Sequence, residues 1–85
     1  MADYDKDLEK DEDFILRLLS ETEDIQELAR SLMNHFNSRY RKELGEISLS
    51  FDQNMRDWLV SCPKGQKRVG YIQSIPKAVF DLRQK

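Results

Sequence analysis

Cysteine is almost absent from this chain of 85 residues, and its scarcity limits both the chemistry and the environment of the protein. Cys62 is the only cysteine, so neither an internal disulfide nor a cysteine-rich metal site can form. A single thiol is typical of proteins in reducing compartments. The first residues also lack the basic and apolar regions of a secretory signal peptide. We therefore expect an intracellular protein, in the cytoplasm or, in a eukaryote, in the nucleus.

The chain also lacks the motifs of common catalytic, nucleotide-binding and metal-binding sites. No apolar run approaches the roughly 20 residues that span a bilayer. Only three glycines occur, and no two of them bracket a phosphate-binding loop. His35 is the only histidine and has no partners at metal-ligand spacing, so we expect a partly exposed helix residue. We predict no enzyme, no cofactor, no metal, no membrane contact and no small-molecule substrate.

The small size of the chain favours a binding partner. A domain of this length buries only roughly 60–65% of the surface that its unfolded form exposes. Such thin cores are often supplemented by disulfides, a metal ion or a second chain. Because a disulfide and a cysteine-rich metal site are excluded, we predict that the protein binds another protein or a second copy of itself.

Charge is distributed unevenly along the chain, although the net charge is only −2. Residues 1–29 contain 11 acidic and 3 basic residues, which gives −8, and residues 30–85 contain 11 basic and 5 acidic residues, which gives +6. Residues 1–10 are polar and acidic, which predicts a flexible N-terminal arm before a single helical domain over residues 11–85. The acidic segment is expected to solubilise the chain, to dock onto a basic partner, or to fold over the basic remainder and screen it.

Apolar spacing in the first half of the chain predicts two helices. Phe14, Ile15, Leu18 and Leu19 define one face of a helix over residues 11–19. Ser20 and Glu23 form the pattern of a capping box that begins a second helix over residues 21–44. Gly45 is then expected to terminate that helix. Alternatively, an apolar heptad predicts one continuous helix that pairs as a coiled coil; its positions are Ile15, Leu18, Thr22, Ile25, Ala29, Leu32 and Phe36.

The second half of the chain predicts shorter elements. Residues 47–51 alternate apolar and polar groups as a half-buried strand does, and the only other candidate strand is residues 69–73. Asp52 is expected to cap a third helix that ends before Pro63, and Pro76 fits the first turn of a last one. The fold class predicted is mostly α, a small domain of three to four helices, with at most a two-stranded β element of 47–51 with 69–73.

The first two helices are the predicted protein-binding surface, because they combine apolar and acidic side chains. Leu16 falls outside the main apolar stripe of its helix, as a residue that contacts a partner would. The candidate contact residues are Phe14, Leu16, Leu18, Glu23 and Glu27.

Nucleic-acid binding is the alternative function, because basic residues cluster at two places in the chain. The candidate residues are Arg39, Arg41, Lys42, Lys64, Lys67 and Arg68, with Tyr71 close enough in sequence to stack on a base. The simpler interpretation of these residues is structural. Cations at the end of a helix complement its dipole, and a charged turn keeps a protein soluble. Whether the two clusters converge decides between these interpretations.

Overall fold

The computed structural model describes the backbone of residues 4–85 and the side chains of residues 5–85. Two long helices, a three-stranded sheet and a short terminal helix follow one another along the chain. The elements are α1 (Tyr4–Glu21), α2 (Ile25–Leu44), β1 (Ser48–Asp52), β2 (Asp57–Cys62), β3 (Gly65–Val69), a 3₁₀ turn (Ile72–Ser74) and α3 (Ile75–Arg83).

The mostly helical fold class is confirmed, but the sheet is larger than predicted. All neighbouring strands are antiparallel, in the order β1-β2-β3. Leu49 lies opposite Val60, and Trp58 lies opposite Val69. The predicted pairing of residues 47–51 with residues 69–73 is therefore wrong, because β2 separates the two outer strands.

The prediction of a helix after Asp52 is wrong as well, since residues 57–62 form the central strand. Trp58 and Val60 alternate toward the core, whereas Met55, which a helical face would bury, is 65% exposed. Asp52 does act as a cap: its Oδ1 accepts N–H groups of Asn54 and Met55 at 2.9 and 3.1 Å. Those bonds close a turn of a hairpin, and a helix does not follow.

The first helix begins earlier than predicted, at Tyr4 instead of residue 11. Residues 4–10 of the predicted arm are therefore helical, and residues 1–3 lie outside the described part of the chain. Helix α1 ends at Glu21, and residues 22–24 interrupt the helical path. This break contradicts the continuous helix of the coiled-coil alternative.

The predicted start of α2 is wrong and its predicted end is confirmed. Asp24, and not Ser20, is the N-cap: its Oδ1 accepts N–H groups of Gln26 and Glu27 at 2.9 and 3.4 Å. The Ser20 hydroxyl instead donates to the carbonyl of Arg17 at 2.6 Å. At the other end, Gly45 has a φ of +80°, where glycine is favoured, and its N–H bonds to the Arg41 carbonyl at 2.8 Å.

The core lies between the helices and one face of the sheet. Helix α2 buries one side chain per turn, as its apolar stripe predicts; these residues are Leu28, Leu32, Phe36, Tyr40 and Leu44. Ile25, which is a position of the predicted apolar heptad, is 44% exposed instead. The side-chain amide of Asn37 fixes α2 against the start of β1, because it donates to the Ile47 carbonyl at 2.9 Å and accepts the Ile47 N–H at 2.8 Å.

Candidate functional site

A buried polar network joins α1 to α2. Asp11 is only 3% exposed, and a carboxylate at that depth is unfavourable unless it is paired. Its Oδ1 lies 2.7 Å from His35 Nε2 and 3.2 Å from Arg39 Nε, and its Oδ2 accepts the Tyr40 hydroxyl. The ring of Phe14 stacks on His35 with the centroids 3.9 Å apart. Because all three partners of Asp11 belong to α2, they fix how α1 lies on that helix.

The same network continues to α3 through Arg83. Its Nε and Nη2 donate to the two carboxylate oxygens of Glu43 at 2.9 Å. Its Nη1 donates to Asp7 Oδ2 at 3.1 Å, and Asp7 Oδ1 accepts from Arg39 Nη2 at 3.0 Å. The Arg83 guanidinium also lies 4.2 Å from the ring centroid of Tyr40. Asp7 is thus shared by two arginines, and the network holds all three helices together.

Tyr40 shows how strongly this environment opposes a further negative charge. Burial, and then the hydrogen bond to Asp11, raise the pKa of Tyr40 from 10.0 to about 12, against the opposing effect of Arg39. A phenolate would be desolvated beside an existing carboxylate. Among the described residues, every buried side-chain nitrogen and oxygen has a hydrogen-bond partner. The network therefore has the character of a structural clamp, with its acids and bases engaged by one another.

The residues predicted for protein binding divide between the surface and the interior. Leu16 is 59% exposed, and Glu23 and Glu27 are exposed near the start of α2. Leu18 belongs to the buried core, and Phe14 is partly buried against it. Three of the five predicted residues thus remain available to a partner, and the other two stabilise the fold.

Helix α1 brings Leu16 together with acids that the sequence prediction did not select. Glu9, Glu12 and Asp13 precede Leu16 by seven, four and three residues, the spacings that place side chains on one helix face. All three are exposed, and none forms an ion pair within residues 5–85. We call Glu9, Glu12, Asp13 and Leu16 the α1 outer face. The spacing of these residues is visible in the sequence, but their exposure is not.

The six predicted nucleic-acid contacts also divide into two sets. Arg39 belongs to the polar network, Lys67 lies 3.5 Å from Asp81, and Arg68 lies 2.8 Å from Asp57. In contrast, the other three are exposed and form no ion pair in the described part of the chain; they are Arg41, Lys42 and Lys64. Internal ion pairs therefore engage three of the six basic side chains, and the other three are available to a ligand.

The polar network itself is what the sequence prediction missed. Asp7 and Asp11 lie in a stretch whose composition suggests solvated acids, and His35 has no notable neighbours in sequence. One signal was present: Asp7, Asp11, Phe14 and Leu18 recur at spacings of four, three and four residues, which places the two acids on the buried face of α1. Arg83 carried no comparable signal, because its partners are 40 and 76 residues away.

The described residues show neither a membrane span nor a metal site. Within residues 4–85, no helix is both long and apolar enough to cross a membrane. The same part of the chain contains no group of three or more histidine, cysteine or acidic side chains that could hold a metal ion.

Comparisons with protein-family models, with curated proteins and with solved structures found no match for this chain.

Proposed function

We propose that this protein is a non-catalytic interaction module whose α1 outer face binds a basic surface of another protein. The observation that carries the proposal is Leu16, an aliphatic side chain that is 59% exposed on a helix face with three acids. A helix that lies in a groove of its partner inserts apolar anchors into that groove, and the rim of such an interface is polar.

The buried side of the same helix supports this assignment. Ile15 and Leu18 anchor α1 in the core, and Asp11 fixes it to α2. The outer face is therefore presented by a helix that is already ordered. A partner would not have to supply the free energy for ordering that segment, which favours affinity.

Charge indicates a different protein as the partner instead of a second copy. In a two-fold dimer through this face, Glu9, Glu12 and Asp13 of one copy would face the same acids of the other copy. Such like charges repel one another. A groove with lysine or arginine at its rim would pair with them, and an apolar pocket in that groove would accept Leu16.

The non-catalytic part of the proposal is supported by the engagement of the titratable side chains. His35 and Tyr40 both bind the buried carboxylate of Asp11, so these three side chains hold a structure together instead of facing a cleft. A general acid or base must reach a substrate within hydrogen-bond distance.

The test compares proteins captured from a lysate of the source organism by three tagged baits. Leu16→Lys removes the apolar contact and adds a positive charge beside the three acids, whereas Met55→Lys makes the equivalent apolar-to-lysine change at a residue that is 65% exposed in the β1–β2 turn. We expect quantitative mass spectrometry to find a partner that wild type and Met55→Lys retain and Leu16→Lys loses at least about tenfold, since a buried anchor contributes on the order of 2 kcal/mol. Identical capture by all three baits would refute the proposal, and light scattering of the pure protein would reveal a second copy as the partner instead.

A further inference from the structure

Three distant segments of the chain meet beside the C-terminal end of α2. Gly45 touches the β2–β3 turn so closely that a Cβ added to it would lie 2.7 Å from Pro63 Cγ. A Cβ added to Gly65, the first residue of β3 after this turn, would lie 3.1 Å from Lys85 Nζ and 3.5 Å from Leu82 Cδ2. The end of α2, the tip of the hairpin and the last described residue are therefore neighbours.

Each of these segments contributes exposed positive charge. Arg41 and Lys42 occupy the last turn of α2, Lys64 lies between Pro63 and Gly65 in the turn, and Lys85 contacts that turn. All four are exposed, and none has an ion pair in the described part of the chain. We call these four residues the basic corner.

The neighbouring acids neutralise this corner only in part. Glu43 accepts hydrogen bonds from Nε and Nη2 of Arg83, which offsets part of its charge. Glu46 is exposed and is the one unpaired acid adjacent in sequence to Gly45. An open cleft of about 620 Å³ continues from the corner along α2, lined by Asn37, Ser38, Arg39, Arg41 and Lys42. Of this lining, the Ser38 hydroxyl and the cationic groups of Arg41 and Lys42 remain available to contact phosphates and sugars. The Asn37 amide bonds Met33 and Ile47, and Arg39 pairs with Asp7 and Asp11.

The surroundings of the basic corner favour a phosphate backbone over a protein surface or a single strand. The large exposed hydrophobic residues of the described chain are Leu16, Ile25, Met55 and Tyr71, and none belongs to the corner. Interface hot spots are most often buried aromatic side chains and arginines, and of these the corner has one arginine and no exposed aromatic side chain. Tyr71 follows the far end of β3, about 17–20 Å from the turn at roughly 3.3 Å per strand residue. It therefore cannot stack on a base held at the corner, as a single-strand site would require.

We propose that the basic corner binds the phosphate backbone of duplex nucleic acid without reading its sequence. The proposal does not rest on the α1 outer face, since the two sites share no residue. The basic corner also differs from the set of basic residues predicted from the sequence. It includes Lys85, and it does not include Arg39, Lys67 and Arg68.

The experiment measures binding of a fluorescein-labelled 20-base-pair DNA duplex by fluorescence anisotropy between 50 and 200 mM KCl. Three to four phosphate contacts predict that log Kobs falls against log [KCl] with a slope of about −3. Lys64→Gln should weaken binding at 50 mM KCl by roughly tenfold and reduce the slope by about one. Lys10→Gln is the matched control, because Lys10 is exposed on α1 and the substitution changes the net charge equally.

A gain of charge gives the complementary result. Glu46→Lys should tighten binding, whereas Asp13→Lys, an equal change of charge on α1, should leave it within about twofold, because only charges close to the phosphates are counted in the salt slope. A duplex of scrambled sequence should bind equally. The proposal would be overturned by no binding at 50 mM KCl, by equal losses in Lys64→Gln and Lys10→Gln, or by dependence on sequence.

Discussion

The two sides of α1 carry the same kind of residue in opposite circumstances. On the inner side, Asp7 and Asp11 are bound by arginine, histidine and tyrosine side chains of α2 and α3. On the outer side, Glu9, Glu12 and Asp13 face solvent. A count of charges along the sequence treats these acids as one group. Part of the acidic excess is therefore paired with basic side chains inside the fold, and only the unpaired acids of the outer side are available to a partner.

Removal of the central carboxylate should give the largest difference between the two sides. Asp11→Ala leaves Arg39, His35 and Tyr40 without their shared acceptor, and loss of one partner from a buried charge pair typically costs about 3–5 kcal/mol. Asp13→Ala, two positions away on the outer face, should change the free energy of unfolding by less than about 0.5 kcal/mol. Urea unfolding monitored by circular dichroism measures both. Equal effects of the two substitutions would show that the inner and outer acids are equivalent.

Alkaline pH should weaken the inner side alone. The pKa of Tyr40 is raised from 10.0 to about 12 in the folded state. The contribution of the neutral phenol to the free energy of unfolding is therefore complete below pH 10 and is lost as the pH rises through 12. Two pKa units correspond to about 2–3 kcal/mol. The measurement is the free energy of unfolding at pH 9 and pH 11.5 for wild type and for Tyr40→Phe. The loss between the two pH values should be smaller in Tyr40→Phe, and an equal loss in both proteins would contradict the role assigned to the phenol.

The smallest effect is expected on the outer side. Leu16→Lys replaces an exposed side chain, so it should shift the free energy of unfolding by no more than about 0.5 kcal/mol. Thermal and urea unfolding of the variant should overlay those of wild type. A loss of 2 kcal/mol or more would mean that Leu16 supports the fold and that the α1 outer face is not a free surface.

Features that depend on neighbouring residues could be predicted from the sequence. The apolar stripe of α2, its end at Gly45 and the start of α3 near Pro76 each follow from spacing or from the backbone geometry of one residue. The first helix was predicted too short because its opening residues contain little apolar surface. Asp7, in this opening segment, binds arginines 32 and 76 residues away, and contacts of that range leave no pattern in the local sequence.

Features that depend on competition between structures could not be predicted. Residues 52–62 fit a capped helix with Met55, Trp58, Leu59 and Cys62 on one face, and they also fit a strand in which every second residue is buried. As a strand, β2 pairs on both sides, and it thereby supplies the partner that the backbone groups of β1 and β3 need. The basic corner was hidden for the same reason, since contact between Gly45 and Pro63 depends on that hairpin. Of the predicted protein-binding residues, spacing separated Leu16 from the apolar stripe, and Leu16 is 59% exposed. Spacing also placed Leu18 on the apolar face of the helix, and Leu18 belongs to the core.

The bonds between Asn37 and Ile47 also bear on aggregation. An outer strand with uncharged, β-prone residues is a template onto which other chains can add, and many proteins protect such an edge with lysine, proline or a bulge. Residues 47–51 contain neither lysine nor proline. The Asn37 amide instead occupies both backbone groups of Ile47, as a peptide group of an adjacent strand would, and α2 packs along β1. The side chain of Asn37 thus blocks the start of this strand edge to a further strand. The protection does not require a lysine or a proline within the strand itself.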